Sequence, residues 1–248
     1  MINNHKKNIL IFIPTYNEVN NVENILKKII NLKIDTDILF IDDNSPDGTG
    51  ELLDKLSNVF SRVFVQHRIG KLGIGSAHRE AILWAYKNRY NAILTLDCDA
   101  THPPEYIPSF IKRLDEFDLV VGTRHLNKSS LADWSIKRKF LTKLGYLLTY
   151  YLLNIPYDAT GAYRIYNLDL INSKFLDTTR SNGYSFLFET IFILNFNNYK
   201  IGEIPIHLPS RENDCSKMSY RDICQSLLML FKIFFEKIFS PKKFIIKE

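Results

Sequence analysis

Short apolar runs alternate with stretches of helical spacing through the first half of the chain, and this rhythm limits the fold more than any other feature. Residues 8–13 (NILIFI) form the first run, ended by Pro14. Residues 19–32 then place Val22, Ile25, Leu26, Ile29 and Ile30 on one helical face. The pattern repeats: strands are predicted over 37–41, 62–66, 91–96 and 118–122, and helices over 49–60, 75–88 and 104–117. Runs without polar alternation suit strands buried on both faces. Strand–helix alternation with short links therefore predicts a mostly parallel sheet with helices on both faces, Rossmann-like in architecture.

After Thr123 the rhythm changes. Residues 138–153 predict a helix with a broad apolar face, Phe140, Leu141, Leu144, Leu147, Leu148, Tyr151 and Leu152. Further strands are predicted over 162–166 and 200–206, with a helix over 184–196. A very apolar helix over 223–239, interrupted by Lys232, Glu236 and Lys237, closes the pattern. No internal repeat or Gly/Ser/Pro-rich linker divides the 248 residues. The expected organisation is a body over 1–222, followed by an amphipathic helix and basic tail over 223–248.

Composition excludes several classes. Hydrophobic residues are 46% and charged residues 24%, so the chain is neither a disordered tail nor a collagen. Three Cys, none in a CxxC pair, exclude a disulfide scaffold and a zinc ribbon; the odd count suits a reducing compartment. A net charge of +5 is too weak to imply nucleic acid. The polar stretch 1–8 predicts no secretory signal, and no run of about 20 uncharged apolar residues predicts a membrane span.

In open α/β sheets ligands bind outside the carboxyl ends of the strands. Here those ends carry Pro14-Thr15-Tyr16-Asn17-Glu18, Asp42-Asp43-Asn44-Ser45-Pro46-Asp47-Gly48, Asp97-Cys98-Asp99 and Gly122-Thr123-Arg124. Any one of them reads equally as a solvated turn or helix cap. Four on one sheet edge point to a site. Asp97 and Asp99 are the sharpest pair, because hard cations such as Mg²⁺ or Mn²⁺ take oxygen ligands and bridge one or two carboxylates to substrate phosphates. The alternative for this pair is a cap for the helix that follows Pro103-Pro104. The chain contains no GxxxxGK[ST], no dinucleotide GxGxxG after the first strand and no GxSxG. Its six His lack metal-site spacing, and His102 near the acidic pair reads as a supporting residue.

PTYNE, IDDNSPDGT, KLGIGSA, LDCDATHPP and VVGTR, in that order, resemble a family 2 glycosyltransferase of GT-A fold. Lys137-Arg138-Lys139, the segment DATGAYR from Asp158, Gly183-Tyr184-Ser185-Phe186, the segment GEIPI from Gly202, and the stretch 211–217 are similar to dolichyl-phosphate (polyprenol-phosphate) mannosyltransferases. The similarity runs over about 8–239. QxxRW, the mark of processive cellulose- and chitin-type synthases, is missing; Asn44 stands where Gly is common, and Cys98 lies between the aspartates.

The resemblance implies inverting transfer of mannose from GDP-mannose to a polyprenyl (dolichyl-type) phosphate, with Mg²⁺ or Mn²⁺ as cofactor. Pro14, Tyr16 and Glu18 would border the base and ribose, with Ile41 and Asp43 on the other side. Asp97, Cys98 through its backbone, Asp99 and Thr101 would hold the metal–diphosphate unit. Arg124, Arg211 and Lys217 would place positive charge around the donor diphosphate, and Arg124 and Arg138 around the acceptor phosphate. Asp99, Arg124 and Arg211 are the candidate catalytic residues. A phosphate acceptor is largely a dianion at neutral pH and needs no strong base. A sugar-hydroxyl acceptor would need one, and Glu189 is the candidate, or else a structural hydrogen-bonding residue. A UDP-glucose-dependent transferase and a non-catalytic sugar-nucleotide binding subunit are the alternatives. The apolar helices, with Lys237, Lys242, Lys243 and Lys247 on the last, read either as core or as contacts to the cytoplasmic face of a membrane.

Overall fold

The computed structural model describes residues 7–99, 101–127, 130–132, 134–209 and 219–247. Seven strands form one sheet: β1 (Ile9–Thr15), β2 (Thr36–Asp42), β3 (Val63–His67), β4 (Ala92–Thr95), β5 (Leu119–Thr123), β6 (Arg164–Asn167) and β7 (Ile201–Pro205), in the order β3-β2-β1-β4-β6-β5-β7. Ile9 pairs with Thr36 on one side and Ala92 on the other, both in parallel. Only β6 runs the other way, antiparallel to both β4 and β5.

The uninterrupted apolar run of β1 has a plain cause. Leu10 and Phe12 enter the core layer beneath α3 (Ile74–Lys87), α7 (Ser185–Phe196) and α8 (Tyr220–Phe239). Ile9, Ile11 and Ile13 enter the opposite layer, against α1 (Val22–Asn31) and α4 (Ile107–Arg113), with Leu53 of α2 (Thr49–Val59). A strand with cores on both faces leaves no position for a polar residue.

The expected helix over 104–117 is divided. A 3-10 turn over Pro104–Tyr106 leads into α4, which stops at Arg113. The helix α5 (Ile136–Leu153) follows the last of the acid-edge strands, and the short α6 (Phe175–Thr178) follows β6. No periodic signal in the sequence marks α6, because four residues cannot display a helical period. The last helix starts on a capping box: Ser219 Oγ accepts from Asp222 N, and Asp222 Oδ2 accepts from Ser219 N.

Candidate active site

The carboxyl ends of β1 and β2 are tied together by side chains. Asp42 Oδ1 accepts from Thr15 Oγ1 at 3.0 Å and Ser45 Oγ at 2.6 Å, and Asp42 Oδ2 accepts from Ser45 N at 2.9 Å. Asp47, one residue before the Gly48 N-cap of α2, accepts from Thr49 N through Oδ1 and from Val19 N through Oδ2. Asn17 and Asn44 both have left-handed backbone, with φ of 55° and 57°. Asn tolerates that region better than other non-glycine residues, so Asn44 serves where Gly is common. Asp42 and Asp47 thus hold the turns. Asp43 points elsewhere: its Oδ1 takes Arg68 Nη1 at 2.6 Å, burial pushes its carboxyl up, and Arg68 opposes that push.

The loop after β4 is pinned from both sides. Thr101 N and Oγ1 both donate to Asp99 Oδ1, at 3.2 and 2.6 Å. Asp97 N donates to His102 Nδ1 at 2.9 Å, and His102 stacks on Tyr163 with ring centroids 5.0 Å apart. His102 therefore supports the loop, as expected. Cys98, between the aspartates, is buried.

A cleft of about 170 Å³ opens on this edge. Of the residues the sequence singled out, it is lined by Pro14, Tyr16, Glu18, Asp43, Asp97, Cys98 and Asp99. Thr101 stands behind Asp99. Ile41 is fully buried in the core and does not line the cleft. Arg211 and Lys217 lie outside the described residues.

Among the lining residues not foreseen as site residues are Lys71, Gly183, Tyr184 and Asp222. Lys71 Nζ lies 4.3 Å from the centroid of the Tyr16 ring. The loop 70–75 meets the 182–184 turn backbone to backbone. A Cβ on Gly73 would lie 2.5 Å from Asn182 O, and one on Gly75 2.6 Å from Gly183 O. Gly73 also has φ of 97°. The glycines of KLGIG were the sequence signal for this approach, because no side chain fits there. Glu189 orders the same turn from below: fully buried, it accepts from Arg180 N and Ser181 N at about 3 Å. It is a structural hydrogen-bonding residue, the second of its two expected readings.

Arg124 is not in the cleft lining. Its Nε and Nη2 hold both oxygens of Asp158, at 2.8 and 2.5 Å, and Arg124 N donates to Asp158 Oδ2. Burial raises the Asp158 carboxyl, but the Arg124 charge and hydrogen bonds outweigh it and bring it down to about 2. Arg124 is itself held charged against burial by Asp158 and, more weakly, by Asp97. Asp158 N donates to Glu203 Oε1 at 2.8 Å, and burial pushes the Glu203 carboxyl up. Arg164, fully buried, donates to the carbonyls of Ala159, Gly161 and Leu187, so it fixes the loop carrying Asp158 onto α7. Arg138 lies with its guanidinium 3.5 Å from the centroid of Trp134, at the start of α5.

The C-terminal helices present an unusual surface. Helix α8 buries Leu230 and Ile233, while Leu228, Phe231, Phe235, Ile238 and Phe239 are exposed at helical spacing. Helix α5 packs beside it and exposes Ile136, Phe140, Leu141 and Tyr151. Among the described residues no helix is long and apolar enough to cross a membrane.

The description of glycosyl transferase family 2 matches residues 10–175, well over half of the chain. The chain belongs to this family. An undecaprenyl-phosphate mannosyltransferase from Micrococcus luteus is 32% identical, over 85% of this chain and 87% of that one. A polyprenol monophosphomannose synthase from Mycolicibacterium smegmatis is also 32% identical, over 88% of this chain and 83% of its own. Among solved structures, glucosyl-3-phosphoglycerate synthase from Mycobacterium tuberculosis, in complex with Mn²⁺, UDP and phosphoglyceric acid, superposes with a TM-score of 0.64. It is 15% identical, and the match covers 98% of this chain and 80% of that chain. The sheet is the GT-A arrangement that the resemblance implies, and the cleft sits at its carboxyl edge.

Proposed function

We propose that this family 2 glycosyltransferase transfers mannose from GDP-mannose to a polyprenyl phosphate at a membrane surface, with inversion at the anomeric carbon. The observation that carries the reading is the convergence of Tyr16, Glu18, Asp43, Asp97 and Asp99 on one cleft, in a chain whose relatives are named for polyprenyl-phosphate mannosyl transfer.

Asp97 and Asp99 fit a divalent cation. Both are hard oxygen donors on a loop stiffened by Thr101 and His102. A cation held by two carboxylates would complete its shell with substrate oxygens and water. Such an ion, Mg²⁺ or Mn²⁺, supplies positive charge to the departing diphosphate. The chain's own residues do the rest. Tyr16 offers a flat face to the base, and Glu18 and Asp43 offer acceptors to the nucleoside. Arg124 keeps one edge on Asp158 and, from beside the cleft rather than in its lining, would turn its charge toward the diphosphate. Fixed donors of this kind stabilise developing negative charge without reorganising. Arg138, Arg211 and Lys217 add charge for the acceptor phosphate and the diphosphate.

The acceptor phosphate has a second pKa near 6 and arrives largely as a dianion. It attacks the anomeric carbon as the bond to the diphosphate breaks, and no proton needs to be removed. This agrees with Glu189 being sealed in the core. The exposed faces of α5 and α8 are the surfaces proposed to rest on the membrane, as a peripheral attachment at its cytoplasmic face.

The test offers GDP-mannose and UDP-glucose in parallel, with a polyprenyl phosphate acceptor, with and without a chelator. Chelator-sensitive formation of polyprenyl phosphate mannose from GDP-mannose alone is expected. Transfer only from the UDP-sugar, the nucleotide held by the structural neighbour, would replace the donor assignment.

A further inference from the structure

A second concavity, of about 560 Å³, lies away from the cleft, between α6 and the turn that follows α8. Lys174, Lys242, Lys243 and Lys247 line it, with Asp177 as the acid among the lining residues and Ile245 at the rim. The lysines come from two separate parts of the chain, so this is a site made by folding and not a basic tail.

The turn that carries three of them is fixed. Phe244 is buried, edge-on to Phe192 with centroids 4.8 Å apart. Asn197 clamps the same turn: its Nδ2 donates to Phe244 O at 2.7 Å, and its Oδ1 accepts from Ile246 N at 2.9 Å. Lys243 Nζ also reaches Glu236 Oε1 at 3.3 Å. With Lys243 shared with Glu236 and Asp177 in the lining, the four ammonium groups still leave a local excess of positive charge. Ile245 in the lining is 51% exposed, and Phe239, three residues before Lys242 in the chain, is 77% exposed.

We propose that this concavity binds the phosphate of an anionic phospholipid headgroup. Compact ammonium groups suit phosphate oxygens, and an apolar rim suits acyl chains, which a soluble phosphate lacks. The site would anchor the far end of α8, whose first turn reaches the cleft at Asp222. A 20-residue helix spans about 30 Å, so headgroup and cleft would hold the helix at both ends. The inference rests on the membrane reading above and adds a specific lipid to it.

Vesicle flotation tests it, with phosphatidylcholine vesicles and vesicles containing phosphatidylglycerol. The variants are Lys174→Glu with Lys242→Glu, and as a control Lys28→Glu with Lys55→Glu, on α1 and α2. Each lysine near an anionic surface is worth about fivefold in affinity. Neutralising both would cost roughly 25-fold, so the charge-reversing first pair is expected to lower affinity for phosphatidylglycerol vesicles by at least about 25-fold, with phosphatidylcholine binding and donor turnover in detergent unchanged. An equal loss in the control pair, or no loss in either, overturns the site. Competition by millimolar inorganic phosphate as effective as by the lipid overturns the lipid assignment. If Lys174→Glu with Lys242→Glu unfolds, Lys174→Gln with Lys242→Gln is read by the same criteria. Wild-type protein that floats with neither vesicle defeats the membrane reading itself. Binding lost only on changing Phe231 and Phe235 keeps that reading and defeats this one.

Discussion

The cleft edge and the α5–α8 face satisfy their side chains in opposite ways. At the edge, polar groups hold one another: Thr101 on Asp99, His102 on the Asp97 backbone, Arg68 on Asp43, Arg124 on Asp158. On the face, large apolar groups meet solvent, with Leu228 at 71% and Phe140 at 64% exposure. Chemistry needs groups fixed to fractions of an ångström, and hydrogen bonds supply that. Surface attachment needs only exposed area, and exposure supplies it. Changes at one region should therefore leave the other's measurement untouched.

The largest effect is expected from Asp158→Ala. Removing one partner of a buried ion pair costs about 3–5 kcal/mol, because Arg124 is left charged and buried. Denaturant unfolding should register that loss, and transfer should fall with it, while the folded fraction still binds vesicles. The sign with pH follows. A carboxyl held at about 2 contributes stability above its ordinary 3.8, and that contribution disappears as pH falls through 2. A full-stability Asp158→Ala protein would remove Arg124 from the edge network.

Asp99→Asn comes next. Transfer should fall by about 10²–10³, the scale of a lost charge-stabilising group, with an unchanged melting temperature and full vesicle binding. Near-normal turnover at saturating Mg²⁺ or Mn²⁺ would take Asp99 out of the site.

His78 probes the layer beneath the edge. It is buried against Phe12 and Phe186, neither ring nitrogen has a hydrogen-bond partner among the described residues, and burial brings its pKa down to about 3. The unfolded chain binds a proton that the folded chain refuses between pH 6.5 and about 3. Stability should fall by about 1.4 kcal/mol per pH unit once the pH is well below 6.5. His78→Phe should flatten that part of the stability–pH curve, and an unchanged curve would show that His78 is protonated in the fold.

The smallest change in stability is expected on the face. Phe235→Ser should alter unfolding by no more than about 0.5 kcal/mol, yet weaken vesicle flotation. A loss of several kcal/mol would mean that Phe235 is core and that the contrast fails there.

Helices α7 and α8 show where sequence reading stops. Both are rich in Phe, Ile and Leu. Helix α7 is buried along its length from Ser185 to Leu194, whereas the described burial in α8 is confined to Leu230 and Ile233. An apolar pattern states that side chains avoid water, not whether protein or lipid replaces it.

The sequence by itself determined the strands, because burial on both faces demands continuous apolar runs, and it determined the acid-bearing edge, because each such run ends in polar turn residues. Gly73 and Gly75 stand in its KLGIG run, but the structure alone shows that their missing side chains let two loops touch. Only the tertiary structure decided that β6 runs antiparallel, that Asp158 meets Arg124 across 34 residues, and that Lys71, Gly183, Tyr184 and Asp222 join one cleft. Periodicity reports how deeply a residue is buried, and that is a local property. Which residue it meets is set by strand order and loop approach, which no local pattern encodes.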